Sequence, residues 1–124
     1  MRGRWRQADG GMVTAEIAVA LPALLILVMA SVTAVAVLTA QLRCFDAARE
    51  GARAAARGEP PAATRDIASR AAPRHAEVIV TAAGDRVSVA VTTTVRLLSV
   101  RGPSITVQGR AVTAAEPGVT GGGP

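Results

Sequence analysis

Residues 17–42 contain no charged side chain. The core of this run, IAVALPALLILVMASVTAVAVLTA, covers residues 17–40, 24 in all. About 20 apolar residues in helical form cross a bilayer, so the run is long enough to span with some tilt. It predicts a transmembrane helix and leaves the rest of the 124 residues for one small domain with a modest core. Arg2, Arg4 and Arg6 precede the run, opposed ahead of Glu16 only by Asp9. The positive-inside bias then keeps the N-terminus in the cytoplasm and sends the remainder outward, a single-pass arrangement in the cytoplasmic membrane. Pro22 falls inside the run. It removes a backbone donor and crowds the preceding turn, so a kink or local loosening is expected near residues 18–22.

Composition narrows the functional classes. Apolar residues make up 50% of the chain but aromatics only 2%, namely Trp5 and Phe45. The net charge is +5 and all 14 cations are arginine. Coding bias towards arginine accounts for this, whereas the sharper reading is a basic patch for nucleic acid. Against the patch, Asp46, Arg49, Glu50 and Arg53 alternate in sign, and aromatic side chains for stacking on bases are almost absent. No nucleic-acid partner is expected. Cys44 is the single cysteine and His75 the single histidine, too few for a metal cluster or an internal disulfide. Leu42 and Arg43 before Cys44 do not fit a lipidation site. Cys44 therefore reads as a small apolar helix residue, with an intermolecular disulfide as the sharper alternative. Without lysine or tyrosine, and with no phosphate loop or nucleophile elbow, neither an enzyme site nor a cofactor is expected.

Glu16 is the anomaly. A carboxylate at the lipid boundary is costly unless it has a partner. Three readings of the apolar run compete. It could be a permanent signal anchor. It could be a secretory signal cut after the AVA of residues 34–36. It could be a prepilin-type leader, cut before the run so that the run stays on the mature protein. Only the third gives Glu16 a task. A cut after Gly11 makes Met12 the new N-terminus and Glu16 the fifth residue. The carboxylate can then pair with the terminal amine of a neighbouring subunit, which lowers the cost of both charges and sets their register. A small residue before the cut lets the backbone extend into a protease cleft. A cut after Gly10 would make Glu16 sixth, so Gly11 is favoured. The blander alternative is that Glu16 merely favours the start of the helix through its dipole.

MVTAEIAVALPALL followed by AQLRCFDAAREGARAAARGE resembles the TadE-like minor pilins, or pseudopilins, of tight-adherence type IV pilus systems, most of all those of high-GC Gram-positive bacteria. The likeness covers residues 10–59 and is looser beyond. It implies that the Gly11–Met12 bond is the prepilin peptidase site and that Glu16 is the assembly glutamate. Major pilins of such systems are very short and often carry tyrosine after the glutamate. Ile17 stands there in this chain and a longer outer domain follows, which points to a minor subunit. The partners implied are a prepilin peptidase, other pilin and minor pilin subunits, the assembly platform and membrane lipid.

Beyond the run, the expected class is α+β: a long N-terminal transmembrane helix extending into a small three-stranded antiparallel sheet domain. Leu42, Phe45, Ala48, Ala52 and Ala55 or Ala56 recur at helical spacing through residues 41–57 and mark one apolar face. The sheet is expected to pack on this Phe45 side. Arg43–Asp46, Asp46–Arg49 and Glu50–Arg53 are i,i+3 pairs on a face that reads first as solvated and second as a subunit or anion contact. Gly51 offers room for close packing against another backbone, and Gly58 with Pro60 and Pro61 stops the helix. A short helix is predicted over residues 61–72. Three runs rich in β-branched residues follow, joined at Ala83-Gly84-Asp85 and Arg101-Gly102-Pro103, with Gly109 expected to mark a bulge. The domains expected are a basic leader (1–11), a membrane and assembly helix (12–42), an extracytoplasmic domain (43–115) and a flexible tail (116–124). Two functions follow: a processed minor pilin, or a bitopic or signal-peptidase-released binding module unrelated to pili.

Overall fold

In the computed structural model, the uncharged run is part of one helix, α1 (Arg4–Ala56), followed by α2 (Pro61–Ala71) and strands β1 (Glu77–Ala83), β2 (Arg86–Arg96) and β3 (Ser104–Ala114). Residues 4–97 and 101–115 are described, with side chains from Gly10 onward. The extreme N-terminal arginine Arg2 and the tail from Glu116 lie outside them. The chain divides into two compact units, residues 1–35 and 36–124. The arrangement is α+β, with a long apolar helix followed by a small antiparallel sheet.

The first unit is helix alone. Its large apolar side chains, among them Leu21, Leu25, Ile26 and Leu27, are exposed. Within the apolar segment, Ser31 Oγ donates to the Leu27 carbonyl at 2.8 Å. That bond removes the cost of an unpaired polar group in hydrocarbon.

The second unit is built on valine and alanine. The strands pair in the order β1-β2-β3. Val78 lies opposite Val91 and Val91 opposite Gly109, while Val89 lies between Val80 and Ala111. Alternation puts these residues on one face, with Thr81, Ser88 and Val112 on the other. The inner face closes on Cys44, Ala47, Ala48 and Ala68, all fully buried. Small helix residues let the sheet approach closely, and the branched valines fill the space left. A two-residue turn joins β1 to β2, with Gly84 at φ 61°. Glycine alone adopts this backbone without steric cost, and its place as the first central residue suits the strand twist.

The end of α1 shows why Gly58 stops it. Gly58 takes φ 86°; its N–H donates to Ala55 O at 3.0 Å, and the Glu59 N–H donates to Ala54 O at 3.1 Å. These two bonds satisfy carbonyls that the helix end would otherwise orphan. Pro60 then caps α2 and Pro61 starts it, where a missing N–H costs nothing.

Two local expectations are corrected. The buried face of α1 runs through Cys44, Ala47, Ala48, Gly51, Ala52, Ala54 and Ala55, so the expected Ala48 and Ala52 are buried, whereas Phe45 is 39% exposed and Leu42 64% exposed. The sheet therefore sits on the Cys44–Ala47 side, rotated from the Phe45 side. Close approach decides this: a bulky phenylalanine at the contact would hold the sheet away from the helix backbone. Gly109 marks no bulge either, because β3 pairs with β2 in unbroken register from Ser104 to Ala114. A Cβ at Gly109 would collide with the α1 backbone at Cys44 and Phe45, so the glycine is a helix-contact residue.

Candidate functional site

Two regions carry chemistry, one in each unit. In the first, Gly10 and Gly11 lie in the opening turns of α1, and a side chain added at either would meet nothing within 4 Å. Each glycine costs the helix about 1 kcal/mol relative to alanine, so these two adjacent residues mark a turn that opens readily. Met12 is 73% exposed and Glu16 is exposed. Met12 and Glu16 are four residues apart and so share a face of the helix, about 6 Å apart along its axis. Thr14 Oγ1 donates to the Gly10 carbonyl at 2.8 Å. Pro22 stands inside α1. Beside it Ile17, Ala20, Leu21, Ala23, Leu24 and Leu27 line a shallow apolar groove of about 500 Å³.

The second region was not legible as a site in the sequence. Arg74, His75, Glu77, Thr92, Thr94, Arg96, Arg101 and Ser104 line a polar cleft of about 960 Å³. Three elements of structure assemble it. Pro73 O accepts from the Ala76 N–H at 3.2 Å, closing a turn that places Arg74 and His75 at the entry of β1. His75 takes φ 59°, a left-handed backbone that costs a branched side chain dearly and that histidine tolerates better than most. The end of β2 brings Arg96 opposite Ser104, and the Leu97 N–H donates to Pro103 O at 2.8 Å, holding the connection that carries Arg101. The signals available beforehand were a proline-led turn and arginines at strand ends. Nothing in the linear order links residues 74, 96 and 101, which only pairing of the strands brings together.

The remaining sequence candidates resolve simply. Arg43, Asp46, Arg49, Arg53 and Arg57 form an exposed face. Of its three i,i+3 pairs, Glu50–Arg53 forms at 3.4 Å among the described residues, an exposed pair worth little. Cys44 is buried and unbridged. Burial pushes its thiol up from the usual range, and a backbone hydrogen bond from Gly109 draws it partly back. Among the described residues no group of three or more metal-ligating side chains converges.

Among the described residues one helix is long and apolar enough to cross a membrane, and with the small α+β domain that follows it the chain is consistent with a single-pass membrane anchor. The chain belongs to the TadE-like family, which is associated with tight-adherence pili: the family described as TadE-like protein matches residues 11–53. The match takes in Gly11, Glu16 and the small-residue face of α1 as far as Ala52. The chain is also 46% identical over 100 residues to the protein named Apoptosis inhibitor Rv3655c of Mycobacterium tuberculosis (strain ATCC 25618 / H37Rv), covering 81% of this chain and 74% of that one. No solved structure matches the chain.

Proposed function

We propose that the chain is a minor pilin or pseudopilin of a tight-adherence pilus, cut between Gly11 and Met12 by a prepilin peptidase. Residues 1–11 are then the leader, 12–42 the membrane and assembly helix, 43–115 the extracytoplasmic domain and 116–124 a tail. The N-terminus starts in the cytoplasm and the domain outside it. The observation that carries this reading is the placement of Glu16. It is exposed, at the fifth position after an exposed Gly11–Met12 bond, where the apolar helix begins.

The mechanism follows from helix geometry. Cutting after Gly11 creates an ammonium on Met12 and removes Gly10, the acceptor of the Thr14 hydroxyl. Glu16 lies one turn further on the same face. A neighbour displaced by about one turn brings its own ammonium against this carboxylate, pairing two charges that lipid would otherwise penalise. The groove beside Ala20 and Ala23 offers small residues where a second helix can approach closely. Pro22 loosens the backbone beside this groove and lets the helix adjust as it packs. Other pilin subunits and the assembly platform are the partners of that step.

Peptide mass spectrometry of the membrane protein tests the cut: a mature N-terminus at Met12 is expected, and Gly11→Leu should leave the leader in place. An intact Arg2–Arg6 segment on the mature protein would overturn processing. Glu16→Ala should be cut normally yet enter pili poorly, and normal incorporation would show that Glu16 is not an assembly contact.

One observation favours a second reading, a released or anchored binding module. The second compact unit begins at Ala36, the last residue of the AVA motif, and the printed name of the Mycobacterium tuberculosis relative, apoptosis inhibitor, suggests action away from a pilus. A cut there would leave a mature chain starting at Val37. It would also leave Leu38, 62% exposed, and Leu42, 64% exposed, in water, which weighs against release.

A further inference from the structure

We propose that the outer face of the sheet binds a linear acidic polysaccharide laid along β2, from the cleft at Arg96 to Arg86. The inference uses residues of the second unit alone and is independent of assembly into a pilus.

The strand register defines the surface. Val78, Val89, Val91 and Val107 turn inward to the core. The even-numbered residues of β2 and their partners therefore line the opposite face, away from Cys44 and Ala47 of α1. Between its terminal arginines β2 presents only Ser88, Ala90, Thr92 and Thr94 there. The flanking strands carry longer side chains. On β1, Ile79 stands beside Ala90 and Glu77 beside Thr92. On β3, Val112 stands beside Ser88, Arg110 beside Ala90 and Gln108 beside Thr92. Short side chains between longer ones make a trough along β2. Ala90 shows its depth: it lies on the uncovered face yet is only 8% exposed, whereas its neighbour Ile79 is 47% exposed and Val112 58% exposed.

Charge selects the occupant. Arg86 and Arg96 stand at the two ends of β2, about 33 Å apart along the strand. Arg110 rises from the wall between them, and Arg74 and Arg101 join Arg96 in the cleft at one end. All five arginines are exposed. Against them the face holds Glu77, and Asp85 lies in the turn beside Arg86. Cations strung over such a length complement a chain of acidic groups and not one small anion. The planar guanidinium matches a carboxylate in two hydrogen bonds.

The floor and walls suit sugars. The hydroxyls of Ser88, Thr92 and Thr94 can each donate to and accept from sugar hydroxyls. Ile79 and Val112 offer apolar surface to the C–H faces of the rings. None of the three strands contains an aromatic residue, so the face gives nucleic-acid bases nothing to stack on.

The test uses the full chain in detergent micelles and isothermal titration with alginate, a polyuronate, as dodecasaccharide and as disaccharide. The dodecasaccharide should bind at least tenfold more tightly, because it alone engages both ends of the trough. Arg86→Gln should weaken the dodecasaccharide about fivefold and leave the disaccharide unchanged. Ala90→Leu fills the trough without changing charge and should abolish the preference for the longer chain. Glu77→Gln should tighten binding of both, a gain that misfolding cannot mimic. Arg53→Gln on α1 should change nothing. The proposal is overturned if neutral maltododecaose binds as tightly as the alginate dodecasaccharide, or if Arg86→Gln and Ala90→Leu behave like the unsubstituted chain. A DNA duplex of matched charge forms the last arm. Equal affinity for it would mark a general polyanion surface, and the polysaccharide assignment fails.

Discussion

Gly109 and Gly51 show how differently two glycines can serve one interface. A Cβ at Gly109 would overlap the α1 backbone at Cys44 and Phe45, and backbone cannot rotate away. A Cβ at Gly51 would meet side chains, Val89 Cγ1 at 3.0 Å and Ala68 Cβ at 3.1 Å. Alanine at 51 also gains about 1 kcal/mol of helix propensity, which offsets part of any crowding. Gly109→Ala is therefore expected to destabilise the domain by about 3 kcal/mol or more, and Gly51→Ala by about 1 kcal/mol or less. Denaturant melts of the two variants check the order, and equal losses would show that the helix yields at Cys44. Gly51 was singled out from the sequence for close packing, but its neighbours are side chains and not a backbone. Gly109 was visible only as a break in alternation, because a missing side chain says that something is near and not what.

At the scale of elements, the strands were legible because their pattern has a short period and a long run. Val87, Val89, Val91, Thr93 and Val95 alternate with smaller polar or alanine residues, and a one-residue slip would expose every valine. The helix after the membrane was legible as a helix but not in its rotation. Its alanines surround the axis, so hydrophobicity alone favours whichever side holds Leu42 and Phe45. The burial of Ala47 and Cys44, with Phe45 at the edge, follows from how near the sheet must come. Phe45→Ala should then cost the domain less than about 1 kcal/mol, whereas Ala47→Leu should cost about 1–3 kcal/mol by overpacking. Thermal unfolding followed by the sheet signal in circular dichroism reads both, and a larger loss for Phe45→Ala would restore the Phe45 side as the contact.

Across the whole molecule, two units of unlike physics share one helix. The described part of the first unit, from Arg4 on, is helix, whereas the second unit holds a core of valine and alanine in which Val89, Val91, Thr64 and Cys44 are the largest fully buried side chains among the described residues. In a bilayer the first is stabilised by lipid, where unfolding would strand backbone polar groups. The second depends on a small apolar core and is marginal. Heating the full chain in micelles should therefore abolish the sheet signal while most of the helical signal of residues 12–42 persists. A single cooperative loss of both signals would contradict this separation.

By itself the sequence determined the long apolar helix, the end of α1 at Gly58 and the three strands. Each of these is written in local order: a run without charge, a glycine before prolines, an alternation. Tertiary structure alone decided which face of α1 meets the sheet, why Gly109 must lack a side chain, and that Arg74, Arg96 and Arg101 share one cleft. Those outcomes depend on distances between residues far apart in the chain, which only the paired strands and the closeness of helix to sheet set.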